Sequence, residues 1–212
     1  MPAAERKRPW YLVLALLGAL ALGTKDLRSG WTTVALYRGS VDIAAQGDGI
    51  ADEDDRTALV SRVRAYVQAL DAAKQRGWPL GVATFLLGGA VFVFAIRALG
   101  GSRGARTALV QLVLAQTGVY AAGYWLLRDV SDAELRVLEA QQAAQLHEQF
   151  HEHPAERVRA DDMARKTSAM LHAATPVLFG FRLLASALVV VALTRRRSRE
   201  YFDGPREAVE ER

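Results

Sequence analysis

WPLGVATFLLGGAVFVFAIRAL, residues 78 to 99, is the stretch that decides the fold. As a helix it is long enough to cross a hydrocarbon core, which takes roughly 20 apolar residues, and its one charge, Arg97, stands near its end. Working outward, two more such runs follow at Thr107 to Leu127 and Ala174 to Leu193, and a shorter one from Trp10 to Gly23 opens the chain. The pattern predicts an all-α membrane protein: a four-helix transmembrane bundle, up-down-up-down, with a small helical extracytoplasmic cap.

Charge placement supplies the sidedness. Arg6, Lys7 and Arg8 precede the first run, Arg97, Arg103 and Arg106 border the second and third, and Arg195, Arg196, Arg197 and Arg199 follow the last. If every run crosses, all three groups fall on one side, which the positive-inside rule makes cytoplasmic. The segments between are not basic: Thr24 to Gly77 carries eight bases and eight acids, and Arg128 to His172 six bases against nine acids. The expected map is a basic N-terminus at 1–9, a first span at 10–27, an outside segment at 28–77 with an amphipathic helix at 54–75, and a second span at 78–99. A cytoplasmic turn at 100–106, a third span at 107–127, an outside helical segment at 128–173, a fourth span at 174–193 and a cytoplasmic tail at 194–212 complete it. Trp10, Trp31, Trp78, Tyr124 and Trp125 lie near span ends, where amphipathic rings favour the headgroup layer.

The first run has a second reading. A basic stretch, a short apolar core and the small residues Ala21 and Gly23 also fit a signal peptide at 1–23. The competing reading continues the helix to about Leu27, with Lys25 and Arg28 snorkelling and Pro9 at its start. Beyond it, Thr32 to Tyr37 has the β-branched composition of a short strand. Ser131 to Glu134 has the capping-box form of a helix start, Pro154 ends that helix, and a further helix over about 156–173 leads into the last span. Gly81, Gly88, Gly89, Gly118 and Ala122 offer small positions where the second and third runs can pack closely.

Composition excludes several classes. With 51% apolar residues in 212, little chain is left for a separate soluble domain. No cysteine is present, so thiol redox chemistry, disulfides and thiolate metal sites are absent. The net charge of +4 is gathered at span ends and makes no nucleic-acid face. Arginine far outnumbers lysine, 23 to 4, a bias that goes with a GC-rich bacterial genome and hence a bacterial inner membrane.

Three constellations carry candidate chemistry. All four histidines, His147, His151, His153 and His172, lie in the second outside segment, and residues 147–151 read H-E-x-x-H. Imidazoles four apart on a helix share one face and can bind zinc while the glutamate polarises a metal-bound water. At these five residues the chain resembles the zincin metallopeptidases, which implies His147 and His151 as ligands and Glu148 as general base of a zinc-dependent membrane hydrolase. Pro154 and Arg157 stand where a metzincin has Gly and His, and a segment of this size has no room for a substrate-binding sheet. Two other readings are a solvated, His-rich helix end and a non-catalytic metal site that adds His153 or His172.

Residues 47–55, GDGIADEDD, resemble the latter half of the calcium loops of thrombospondin-type and dockerin-type repeats, which implies Asp48, Asp52 and Asp55 as ligands. Ala44 and Gln46 stand where that loop has its first acids. The alternative is a turn and an acid-rich helix start, with Asp52 or Asp54 as cap.

The third feature is Arg182, in the middle of the last run. A charge at that depth costs at least ~2.5 kcal/mol on insertion scales, so it requires a partner or a wet cavity. With no acid inside the runs as delimited, the expected partners are polar residues of the third run. Gln116, Tyr120 and Tyr124, four apart, form one stripe predicted to face Arg182, as a packing network or as the centre of a small-anion or lipid-handling carrier. No reaction site spans enough of the chain to fix an activity. The default expectation is a non-enzymatic accessory, scaffold or sensing subunit without a cofactor, with membrane lipids and a protein partner or second copy as its company.

Overall fold

The computed structural model describes residues 9–39, 43, 50, 52–149 and 154–203, and their side chains except at 103, 149, 154–161, 164 and 203. Among the described residues there are six helices and no strand: α1 Trp10–Arg38, α2 Glu53–Leu99, α3 Arg103–Leu126, α4 Arg128–Gln149, α5 Pro154–Thr194 and α6 Arg196–Asp203. Three helices, Trp10–Arg38, Glu53–Leu99 and Arg165–Thr194 within α5, are long and apolar enough to cross a membrane. The helix holding the third run, interrupted by Gln111, Gln116 and Thr117, is not among them.

The 29 residues of α1 overturn the strand expected over Thr32 to Tyr37. Helix continues there because Thr32 and Thr33 donate their hydroxyls to the Ser29 carbonyl, at 2.8 and 2.9 Å, so the β-branched side chains fold back on the preceding turn. Apart from Ala15 beside Leu16, the buried positions of α1, Leu12, Leu16, Ala19, Gly23, Asp26, Gly30, Val34 and Tyr37, are three or four apart. One stripe thus runs through the polar stretch that ended the apolar run. The amphipathic helix expected over 54–75 and the run from residue 78 are one 47-residue helix, α2, with Pro79 inside it. The 47 residues of α2 are more than twice the roughly 20 that cross a hydrocarbon core. α4 begins at Arg128, so Ser131 lies within it and donates its backbone N–H to the Leu127 carbonyl at 3.0 Å in place of capping.

The chain divides into two compact units. The first comprises 1–33, 80–122 and 181–212, the second 34–79 and 123–180.

The core of the first unit joins Leu12 and Leu16 of α1, Val91 and Ala95 of α2, Leu109 and Val113 of α3 and Val189 and Leu193 of α5. The tail, expected to be solvated, closes one end of it: Phe202 of α6 is buried in that core, and Ser198 is fully buried, donating to the Ala192 carbonyl at 2.7 Å. The tight turn between α2 and α3 uses Gly101 at φ 82°, a left-handed conformation that glycine adopts without Cβ strain. The close approach of helices is not where the small residues of the second and third runs suggest. Gly118 faces open space, whereas α1 and α2 meet backbone to backbone: a Cβ on Gly88 would lie 2.5 Å from the Leu27 nitrogen and 2.9 Å from the Gly23 oxygen. Gly30 meets the backbone of Phe85 and Gly81 in the same way. Outward, the unit presents Leu14, Leu17, Leu86, Val93, Phe181 and Leu184, each at least 50% exposed.

The second unit has its own small core of Tyr37, Leu70, Ala73 and Val130, with Tyr66 and Leu127 packed on it. Tyr37 fits over Gly77, where an added Cβ would fall on its ring.

Candidate functional site

The polar site of the first unit is assembled around Arg182. Its guanidinium forms an ion pair with Asp26, and both are buried, at 6% and 1% exposure. Tyr120 adds its ring face, with the Arg182 guanidinium carbon 4.0 Å from the centroid, a cation–π contact strengthened where water is excluded. Three helices position the site: α1 brings Asp26 on its buried stripe, α3 brings Tyr120, and α5 brings Arg182.

The stripe expected to face Arg182 is brought there in part. Tyr120 is in contact. Gln116 is buried nearby in sequence, but its Nε2 has no hydrogen-bond partner, and neither has Arg182 Nε. Tyr124 stacks on Phe179 instead, centroids 4.1 Å apart. The principal partner, Asp26, is absent from the expectation although it falls inside the first span expected at 10–27, because that expectation admits acids only within the apolar run, which ends at Gly23. The signal that locates it is its spacing, three after Gly23 and seven after Ala19, on the face that carries Leu12 and Leu16. In charge the arrangement is balanced: one carboxylate neutralises one guanidinium that does not readily release its proton, which suits packing better than turnover.

In the second unit the candidate zinc and calcium residues meet. Asp55, at the start of α2, accepts from His147 Nδ1–H of α4, its oxygens 2.9 and 3.1 Å away, which fixes the tautomer with the proton on Nδ1. His172 Nε2 lies 2.9 Å from Glu139, which also accepts the Ser168 hydroxyl at 2.5 Å. Arg76 pairs with Asp129. Glu148 is exposed, while His151, His153 and Asp48 lie outside the described residues. Asp52 acts as a helix cap, accepting the backbone N–H of Asp54 at 3.0 Å and of Asp55 at 3.4 Å. Among the described residues no three metal-ligating side chains converge.

The chain matches no protein family, no curated protein and no solved structure.

Proposed function

We propose that this chain is a non-enzymatic, multi-pass membrane subunit: four helices, α1, α2, α3 and α5, cross a bacterial inner membrane up-down-up-down with both termini cytoplasmic. On this reading the polar helices present a surface to a protein partner or a second copy. The observation that carries it is an apolar surface. In the first unit leucines, valines and phenylalanine face outward around an apolar core that also encloses Asp26, Gln116 and Arg182, a surface unlike that of a water-soluble protein and expected when lipid is the solvent. The positive-inside rule supports the orientation, because the start of α1, the α2–α3 turn and α6 share one end of the first unit, with the basic groups beside them.

An accessory role is favoured over catalysis or transport by how the ionisable groups are spent. Asp26 occupies Arg182, so an anionic cargo would first have to displace a carboxylate, and His147 is engaged by Asp55. In the second unit Leu138 of α4 and Met163 in the polar first part of α5 are exposed apolar side chains, which favours a partner surface there. Photo-crosslinkers placed at Leu138 and Met163 in native membranes should yield a defined adduct, with another protein or a second copy. A chain recovered uncrosslinked from both positions would overturn the accessory role, and a chain found in the soluble fraction without detergent would overturn the membrane reading.

A further inference from the structure

Along the first unit runs a groove between α1 and α5, with a volume of about 480 Å³, within the range of small-molecule sites (roughly 300–1,000 Å³). Its length is apolar and small-walled: Ala15, Gly18 and Leu22 on one side, Ala185, Val189 and Ala192 on the other. One end differs. There Trp10 and Tyr11 lie edge to face, centroids 6.4 Å apart, and the Arg195 guanidinium carbon stands 5.5 Å from the Tyr11 centroid.

Two neighbouring arginines are engaged, Arg196 donating to Glu200 at 2.8 Å and Arg199 to the Thr194 carbonyl at 3.0 Å, and exposed Arg197 does not line the groove. Arg195 has the Tyr11 ring and, among the described residues, no carboxylate. Among the described lining residues Arg195 is the one cation, and with an aromatic rim at the mouth of an apolar channel it is complementary to an amphiphile with an anionic head.

We infer that the groove between α1 and α5 binds one anionic glycerophospholipid, its phosphate on Arg195 beside Trp10 and an acyl chain lying along Gly18 and Ala185. The inference rests on the membrane reading above and adds a site and a headgroup charge to it. Gly18 fits such a contact, since a Cβ there would meet Val189 at 3.4 Å and narrow the channel. A zwitterionic lipid would fill the same channel without a net charge for Arg195, which predicts a preference and not merely occupancy.

The test uses the full chain extracted from vesicles of equal parts dioleoyl phosphatidylglycerol and dioleoyl phosphatidylcholine, with retained lipid identified by native mass spectrometry. Wild type should keep one phosphatidylglycerol in preference to phosphatidylcholine. Arg195→Gln should weaken that preference about fivefold, the factor equivalent to roughly 1 kcal/mol for one basic residue at a membrane surface. Ala185→Leu should reduce retention of both lipids. An unchanged preference in Arg195→Gln, or unchanged retention in Ala185→Leu, overturns the site. Should Ala185→Leu fail to fold, a spin-labelled phosphatidylglycerol headgroup must quench Trp10 fluorescence in wild type, read as the difference from Trp10→Phe; no difference overturns the site equally. A chain that stays in the membrane yet shows no preference defeats this inference alone, whereas one that leaves the membrane without detergent defeats the reading beneath it.

Discussion

Asp26 and Arg182 show how a costly pair becomes a structural constraint. Removing two charges from water costs several kcal/mol each, and mutual attraction returns it only while both are present. Asp26→Leu or Arg182→Leu alone should therefore lower stability by about 3–5 kcal/mol, because each leaves the other charge buried and uncompensated. The double replacement Asp26→Leu with Arg182→Leu should recover most of the loss, and thermal unfolding of the four proteins in one detergent, treated as a cycle, measures the coupling. Additive losses would mean that the two side chains act independently. Tyr66 offers a second test at this scale, in the second unit. Burial first, then the charges of Glu134 and Tyr37, raise its phenol from 10.0 to about 12. A raised value means that the fold favours the neutral phenol, so its contribution is complete below pH 10 and is lost as pH rises through about 12. The tyrosinate absorbance of wild type should contain a late-titrating component that Tyr66→Phe removes, together with part of the alkaline loss of stability.

Helices were legible in the sequence where apolar residues are continuous and obscure where small or polar residues carry the contact. The runs from Trp78, Thr107 and Ala174 each lie in a helix, since length and hydropathy alone specify one. The first run stopped at Gly23 because Lys25 and Arg28 interrupt it, yet both are exposed and the buried stripe passes between them through Asp26 and Gly30. Hydropathy reads average greasiness, whereas packing reads one face, and here that face is lined with glycine and aspartate. The same distinction misplaced the close helix contact, because small residues license an approach without naming the partner helix. Gly88→Val should consequently weaken the seam between α1 and α2 by at least about 1–3 kcal/mol, since its Cβ would meet rigid backbone atoms of Leu27 and Gly23. Gly118→Val, whose Cβ would meet nothing within 4 Å, should leave the unfolding temperature nearly unchanged, and equal effects would contradict the assignment of the seam.

For the whole molecule, helix length connects fold to placement. α2 has 47 residues and α5 has 41, far more than a bilayer core requires, and each divides between an apolar part in the first unit and a polar part in the second. On the proposed topology the connection between α1 and α2 and the segment between α3 and the last span lie on one side of the membrane. The basic groups at the start of α1, at the α2–α3 turn and around α6 then belong to the opposite side. The absence of cysteine makes this testable without background, because any introduced thiol is the only one. In intact cells a membrane-impermeant maleimide should label Ser61→Cys on α2 and Ser131→Cys on α4, both exposed positions in the second unit. Gly104→Cys at the start of α3 and Arg197→Cys on α6 should react only after the membrane is opened. Labelling of Ser61→Cys without Ser131→Cys would require an odd number of crossings between them, and labelling of Arg197→Cys in intact cells would reverse the orientation that the arginines prescribe.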